Sequence, residues 1–316
     1  MPKPPLIHIG YAKTGTTWLQ SGLFGSSSFG FHPVGGAAKT FGARFVYGEP
    51  GGPRTPLDFE PDALRQAYET LMAGQSACPV ISNEALLSHP FSAGIQVRDI
   101  CFRLKEVFPD ARIVITLREQ RSMIVSLYEH YLRKGGASSL ENFMADKGHQ
   151  SLFPLFDKSY LEYDKCIRLY RETFGEGSVL VLPFEWIASD TRNFLSRLYE
   201  FSGASPEGLE RFLTGKEHKA QNVSSPAYAA AQYRFRVLNL LGNPSSYNGF
   251  NAIGYKRLAR ALFRSIAALT PARSAASYRK DIFAKVDVLV GDTYLESNRR
   301  TQGLTGLDLA ALGYSA

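Results

Sequence analysis

A chain of 316 residues with 44% hydrophobic content can bury a sizeable core, and its formal charge of +7 suits an anionic small molecule without requiring nucleic acid. Three cysteines, Cys78, Cys101 and Cys166, have neither an even count nor C-x-x-C spacing, which argues against a disulfide framework and for a reducing compartment. No run of about 18 apolar residues is there to cross a bilayer, and Met1-Pro2-Lys3-Pro4-Pro5 leads into the first strand without room for a signal peptide, so a cytoplasmic protein is expected.

The first predicted strand, Leu6 to Ile9, empties into Gly10-Tyr11-Ala12-Lys13-Thr14-Gly15-Thr16-Thr17-Trp18, a small-residue loop that opens a helix. Gly10 and Gly15 permit tight turns, the amides of Thr14 to Thr17 face an anion from a helix N-terminus, and Lys13 adds a full positive charge. The glycine spacing is that of the triphosphatase loop G-x-x-x-x-G-K-[ST], yet Thr16 stands where that loop places its lysine. A lysine three residues earlier is expected over a phosphate nearer the nucleoside. Trp18 by itself reads equally well as a core residue of the helix.

Phe29 to Asp62, rich in Gly and Pro, reads as a long irregular stretch. It is either a binding loop whose Phe31, Phe41, Phe45 and Tyr47 pack on a substrate, or a poorly ordered insertion. A helix from Asp62 to Ala73 follows, then a strand Pro79 to Ser82 ending in Asn83-Glu84, and a helix from Val97 to Val107. The strand Ala111 to Leu117 carries Arg118 at its carboxyl end, where ligands collect in α/β sheets. The helix starting near Glu119 has Met123, Ile124, Leu127 and Tyr131 on its apolar face, with Ser126 eight residues after Arg118. Tyr160, Tyr163, Ile167, Tyr170 and Phe174 recur at helical steps and mark core packing; a strand Ser178 to Leu182 and a helix with Phe194, Leu195, Leu198 and Phe201 inward come next.

Strands alternating with amphipathic helices predict an α/β fold, a central parallel sheet with helices on both faces in the manner of P-loop nucleotide-binding proteins. A single domain over 1–316 is expected, with an α/β nucleotide-binding core over 1–225 and a helical C-terminal extension over 226–316. Within the extension, Gly242 to Gly249 separates the helices Ser225 to Leu241 and Lys256 to Leu269. The helix over 256–269 opposes Leu258, Leu262, Ile266 and Leu269 to Lys256, Arg257, Arg260 and Arg264. That basic amphipathic pattern suits peripheral contact with an anionic membrane or an acidic glycan, or an ordinary surface helix on its own core.

Tyr11 to Trp18 resembles the Y-P-K-S-G-T-T-W segment of cytosolic sulfotransferases, departing from it at two small positions, and Arg118 with Ser126 resembles their arginine and serine eight residues apart. The resemblance is tight over residues 5–25 and 110–135 and architectural elsewhere, and the closing segment Tyr294 to Tyr314 is similar to that of many bacterial sulfotransferase-like proteins. It implies 3′-phosphoadenosine-5′-phosphosulfate (PAPS) as sulfuryl donor, adenosine 3′,5′-bisphosphate (PAP) as product, an acceptor hydroxyl attacking in line, and no metal. It further implies that Lys13, Thr14, Gly15, Thr16 and Thr17 hold the 5′-phosphosulfate, that Lys13 supports transfer, that Trp18 stacks on adenine, and that Arg118 and Ser126 take the 3′-phosphate.

Two departures matter. The family's K-T-H histidine is absent from Ile81-Ser82-Asn83-Glu84-Ala85, which leaves Glu84 as the replacement base if burial raises its pKa toward neutrality. His89 and His32 are its rivals, and the plain reading of Glu84 is a helix-start carboxylate. The R-K-G loop over the 3′-phosphate is also missing; Lys219, in the basic segment Lys216 to Ser224, is either its substitute or part of an ordinary surface loop. Glu84 in place of K-T-H tilts the expected acceptor toward a sugar hydroxyl of a glycan or glycolipid. Two other readings stand beside this one: a P-loop-type kinase, which needs magnesium and a lysine at Thr16, and a non-catalytic nucleotide-binding protein, which keeps Arg118 and Ser126 but needs no base.

Overall fold

In the computed structural model, five short strands build one parallel sheet: β1 (Leu6–His8), β2 (Phe31–Pro33), β3 (Cys78–Ser82), β4 (Arg112–Leu117) and β5 (Val179–Pro183), in spatial order β2-β3-β1-β4-β5. The residues described are 2–48, 59–146, 156–215, 225–236 and 255–316. They divide into two units, one made of Met1–Glu119, Lys158–Gln221 and Leu295–Ala316, the other of Gln120–Asp157 and Asn222–Tyr294.

The first unit holds the sheet. A parallel sheet is covered on both faces, so its strands read as near-continuous apolar runs, and Ile7, Val80, Ile81, Ile113, Ile115, Leu117 and Leu182 are fully buried. Side chains alternate between faces along a strand. On one face, Leu6, Val80, Val114 and Leu182 join Trp18, Leu19, Phe194, Leu195, Leu198 and Phe212 in a single apolar cluster. One step further toward the carboxyl ends, the same face carries His8, Ser82 and Thr116, with His8 paired in register to Ser82 and to Val114. Strands β1 and β4 are neighbours, but the chain leaves β1 toward β2 on one side and β4 toward β5 on the other. Connections that diverge in this way open a crevice at the carboxyl ends of the two strands, where α/β sheets bind ligands.

Most helices fall where the periodicity puts them: Pro61–Met72, Val97–Val107, Gln120–Arg133 and Tyr163–Phe174. The helix Thr191–Ser202 starts on Asp190, whose carboxylate accepts the Asn193 N–H at 3.1 Å, and ends on Gly203 in the left-handed region.

The stretch from Phe29 to Asp62 corrects the sequence reading. It contains β2 and a helix, Ala38–Tyr47, and residues 49–58 lie outside the described ones. Phe31, Phe41 and Phe45 are core residues at 0–1% exposure, and Tyr47 alone of the four aromatics is exposed. Their spacing is the reason: Phe41 and Phe45 stand four apart on one helix face, so packing inward against Tyr68 and Phe108 removes more apolar surface than waiting for a substrate.

The second unit is helical: Gln120–Arg133, Leu140–Met144, Pro226–Arg234, Tyr255–Ala268 and Ala272–Val290. Pro226–Arg234 packs against the helices Gln120–Arg133, Tyr255–Ala268 and Ala272–Val290. Polar links within the unit join Arg121 to Asp287 at 2.7 Å and Lys285 to the Tyr233 hydroxyl at 3.0 Å. On the basic helix, Phe263 is buried while Leu262 and Leu269 are exposed; the side chains of Lys256, Arg257, Leu258 and Arg260 and the break over 242–249 fall outside the described residues. Among the described residues no helix is long and apolar enough to cross a membrane.

Candidate active site at the carboxyl ends of β1, β3 and β4

The loop after β1 stays pinned to β4: Ile9 N–H donates to Val114 O at 3.0 Å and Tyr11 N–H to Thr116 O at 3.2 Å. Gly10 lies so close to β4 that a Cβ there would stand 2.0 Å from Thr116 Oγ1 and 2.5 Å from His8 Nε2, so only glycine fits. Beyond it the backbone turns through the left-handed region twice, at Lys13 (φ 73°) and Gly15 (φ 78°). Glycine adopts that conformation freely, whereas a lysine does so at a cost of about 1–3 kcal/mol. Alternation of left- and right-handed residues turns successive N–H groups to one side, the concavity that cradles anions. The helix Thr16–Ser21 begins at once, its first bond running from Leu19 N–H to Gly15 O.

Within the loop the threonines differ. Thr14 is fully buried, and its hydroxyl donates inward to Tyr11 O at 2.5 Å, leaving its amide for a ligand. Thr16 is buried at the helix start and Thr17 is exposed. Trp18 packs into the apolar cluster at 5% exposure, edge-on to Phe212 at 5.5 Å. The ring thus takes the core position that its place on the helix allows, and stacking on adenine stays what the resemblance implies.

Arg118 leaves the end of β4 and donates from Nη1 to the Lys13 carbonyl at 3.0 Å, while its guanidinium lies over the Phe184 ring at 4.9 Å. Its own carbonyl accepts the Tyr163 hydroxyl at 2.5 Å, and the Tyr163 ring packs edge-on to Tyr11 at 4.8 Å. Glu185, just past β5, accepts the Glu119 N–H at 2.9 Å and the Tyr314 hydroxyl at 3.1 Å. Burial raises its carboxyl above the ordinary value, against the pull of those bonds and of Arg118. Two residues singled out in the sequence, more than a hundred apart, therefore meet at the β1–β4 crevice, through the Arg118 guanidinium and the Lys13 backbone carbonyl. Ser126 belongs to the second unit, half-buried on Gln120–Arg133, and Lys219 lies outside the described residues.

Glu84 opens a short 3-10 turn after β3. Its Oε1 accepts Lys39 Nζ at 2.8 Å and its Oε2 accepts Gln20 Nε2 at 3.2 Å. Burial is the largest influence and pushes its pKa up, but the Lys39 bond, a backbone hydrogen bond, the Lys39 charge and the Gln20 bond together bring it below the ordinary carboxylate value. The expectation that burial raises this pKa toward neutrality is thus corrected, and the carboxylate is ionised at neutral pH. His89 is exposed, and its Nδ1 accepts the Phe91 N–H at 3.2 Å, so one ring nitrogen serves as a helix cap. His32 is not in a loop. It lies on the edge strand β2 in register with Pro79, near the start of β3 and about 16 Å of strand short of Glu84.

Sequence reasoning passed over His8, Gln20, Lys39, Ser82, Thr116 and Glu185. Three of them carried a signal, since His8, Ser82 and Thr116 each interrupt an otherwise apolar strand with one polar side chain.

Residues 101–207 match the model of the sulfotransferase family, a span that includes β4, Arg118, β5 and Glu185 but not the loop after β1. Over that span the chain is similar to the sulfotransferase family, a class of group-transfer enzymes. Among curated proteins none matches. Its structure is similar to that of a sulfotransferase from Alicyclobacillus acidocaldarius, 18% identical, covering 81% of this chain and 100% of that one with a TM-score of 0.49. It is also similar to the sulfotransferase domain of the curacin biosynthetic pathway, at 17% identity, 83% and 98% coverage and a TM-score of 0.40. A sulfotransferase domain of the olefin synthase of Synechococcus PCC 7002 matches at 14% identity, 83% and 94% coverage and a TM-score of 0.36.

Proposed function

We propose that the protein moves a sulfuryl group from PAPS to an acceptor hydroxyl, with the donor in the β1–β4 crevice. The observation that carries this reading is the bond from Arg118 to the Lys13 carbonyl, which sets a guanidinium and an ammonium-bearing loop side by side where one phosphorylated nucleoside meets both. The residues fit such a donor: a loop with two left-handed turns for the 5′-phosphate, Lys13 for the charge that grows on it, and the planar fork of Arg118 for a second phosphate. Ser126 and Lys219 are proposed to complete the 3′-phosphate contacts.

In the transfer, the acceptor oxygen forms a new bond to sulfur as the bond from sulfur to the bridging oxygen breaks, and the electron pair leaves with the phosphate. Glu84, already ionised, takes the acceptor's proton, while Lys39 and Gln20 hold its two oxygens. Lys13 and the loop amides stabilise the leaving phosphate. A carboxylate paired with an ammonium at the acceptor side is a polar environment, which supports a sugar hydroxyl of a glycan or glycolipid as acceptor over a phenol.

Calorimetric titration with PAP against ATP plus magnesium tests the donor. Tighter binding of PAP is expected, and the kinase reading predicts the opposite order. Binding of PAP with no sulfate moved from labelled PAPS to any of a panel of glycans, glycolipids and phenols would favour the non-catalytic reading.

A further inference from the structure

His8 is a buried ionisable group outside the proposed chemistry, with determinate surroundings. It is fully buried on β1 between β3 and β4, with Nδ1 2.7 Å from Ser82 Oγ and Nε2 3.2 Å from Thr116 Oγ1. The direction of every bond around it can be deduced. Thr14 gives its only hydroxyl hydrogen to the Tyr11 carbonyl, so at 2.7 Å it must accept from Thr116. Thr116 has then used its hydrogen and accepts from His8 Nε2–H. A neutral imidazole carries one N–H, so Nδ1 accepts from the Ser82 hydroxyl. Gln20 Nε2 in turn shares its two hydrogens among Ser82 O at 3.1 Å, Ser82 Oγ at 3.2 Å and Glu84 Oε2 at 3.2 Å.

The result is one unbroken sequence of donors and acceptors from Gln20, which also holds Glu84, through Ser82, His8, Thr116 and Thr14 to the loop backbone at Tyr11. Bonds aligned head to tail polarise one another, and every member here is shielded from water. Burial keeps the imidazole neutral by lowering its pKa to about 4, with Glu84 pulling weakly the other way.

We infer that His8 is a positioning residue that sets the phosphate loop through Thr116 and Thr14 and, through Ser82 and Gln20, ties that setting to Glu84. This deepens the reading of the site as a sulfuryl-transfer centre and rests on it for the ligand, though not for the bonding. His8 touches no reacting atom; it acts by fixing the groups that do.

Two substitutions separate the arms. The amide of Asn reaches the position of Nδ1 and that of Gln the position of Nε2, so His8→Asn keeps the Ser82 link and loses Thr116, whereas His8→Gln does the reverse. Adenosine 3′,5′-bisphosphate is the probe. Its Kd is expected to rise roughly five- to ten-fold in His8→Asn and to stay within about two-fold in His8→Gln, the loss of one buried hydrogen bond appearing on one side only. Amide hydrogen exchange at Thr14 to Thr17, read without ligand, is expected to quicken in His8→Asn alone. Equal changes in the two variants, or changes that simply follow their melting temperatures, would overturn the assignment and leave His8 an ordinary core residue. Should either variant fail to fold, Thr116→Val and Ser82→Ala cut the same two links with smaller changes of shape, and the same contrast is expected. A wild-type protein that binds no bisphosphate would sink the donor reading, and the exchange measurement would still decide the role of His8.

Discussion

The loop after β1 and the turn after β3 both stand at the carboxyl edge of the sheet, but they are held by different kinds of interaction. Long-range bonds fix the loop: the part-buried bond of Arg118 to the Lys13 carbonyl, the buried one of Thr116 to Thr14, and two backbone bonds to β4. The turn combines local bonds, Asn83 accepting the Ala85 N–H and His89 the Phe91 N–H, with longer ones from the Asn83 N–H to His8 O and from Gln20 to Glu84, and its carboxylate also pairs with Lys39, an ion pair whose partners are 48% and 33% exposed. Water and salt weaken that exposed ion pair far more than the buried bonds. The proposed donor side is therefore held more firmly than the Lys39 contact on the proposed acceptor side.

Removing the charge from the rigid side should do the most damage. Lys13→Ala is expected to lower kcat by about 10² to 10³-fold, the usual effect of deleting one group that meets developing charge, with the melting curve little changed; near-normal turnover in a single-turnover assay would deny Lys13 its role.

Acid should loosen the same side. The unfolded chain protonates His8 near pH 6.5 and the folded one near pH 4, so the unfolded state takes up the proton first as pH falls. Stability is full above about pH 6.5 and declines by about 3 kcal/mol by pH 4. Urea unfolding of wild type and His8→Gln at pH 7 and 4.5 checks this, since the variant should lack that part of the decline. Gly10→Ala drives a methyl group into Thr116 and His8 and is expected to cost roughly 2–3 kcal/mol by the same measurement, the upper end for overpacking.

The exposed pair should respond least in stability and most in pH. Lys39→Met is expected to change unfolding free energy by less than about 1 kcal/mol. Glu84 would lose the strongest force holding its pKa down, so on acidification the transfer rate should begin to fall at a higher pH than in the wild type. An unmoved acid limb would detach Glu84 from the proton transfer.

What the sequence discloses follows from the range of the interactions. Glycines, a lysine and a helix start packed into ten residues announce the loop locally, and the β4 strand with Arg118 is equally legible because burial on both faces forces an apolar run. β2 escaped notice: three residues, one of them proline, carry no alternation, and an edge position demands little of them. Lys39 escaped for a different reason, since its partner lies 45 residues away and nothing near it in the chain points there. The polar interruptions at His8, Ser82 and Thr116 were visible singly, but their connection depends on β1 lying between β3 and β4, which only the strand order reveals.

The backbone twist at Lys13 has a further consequence. At φ 73° a lysine sits in a conformation that glycine would occupy at ease, so the residue most needed for the proposed chemistry is one the fold would be no worse without. Lys13→Gly should leave thermal stability equal or slightly raised while silencing the enzyme. Selection for robustness and selection for turnover pull in opposite directions at this one position.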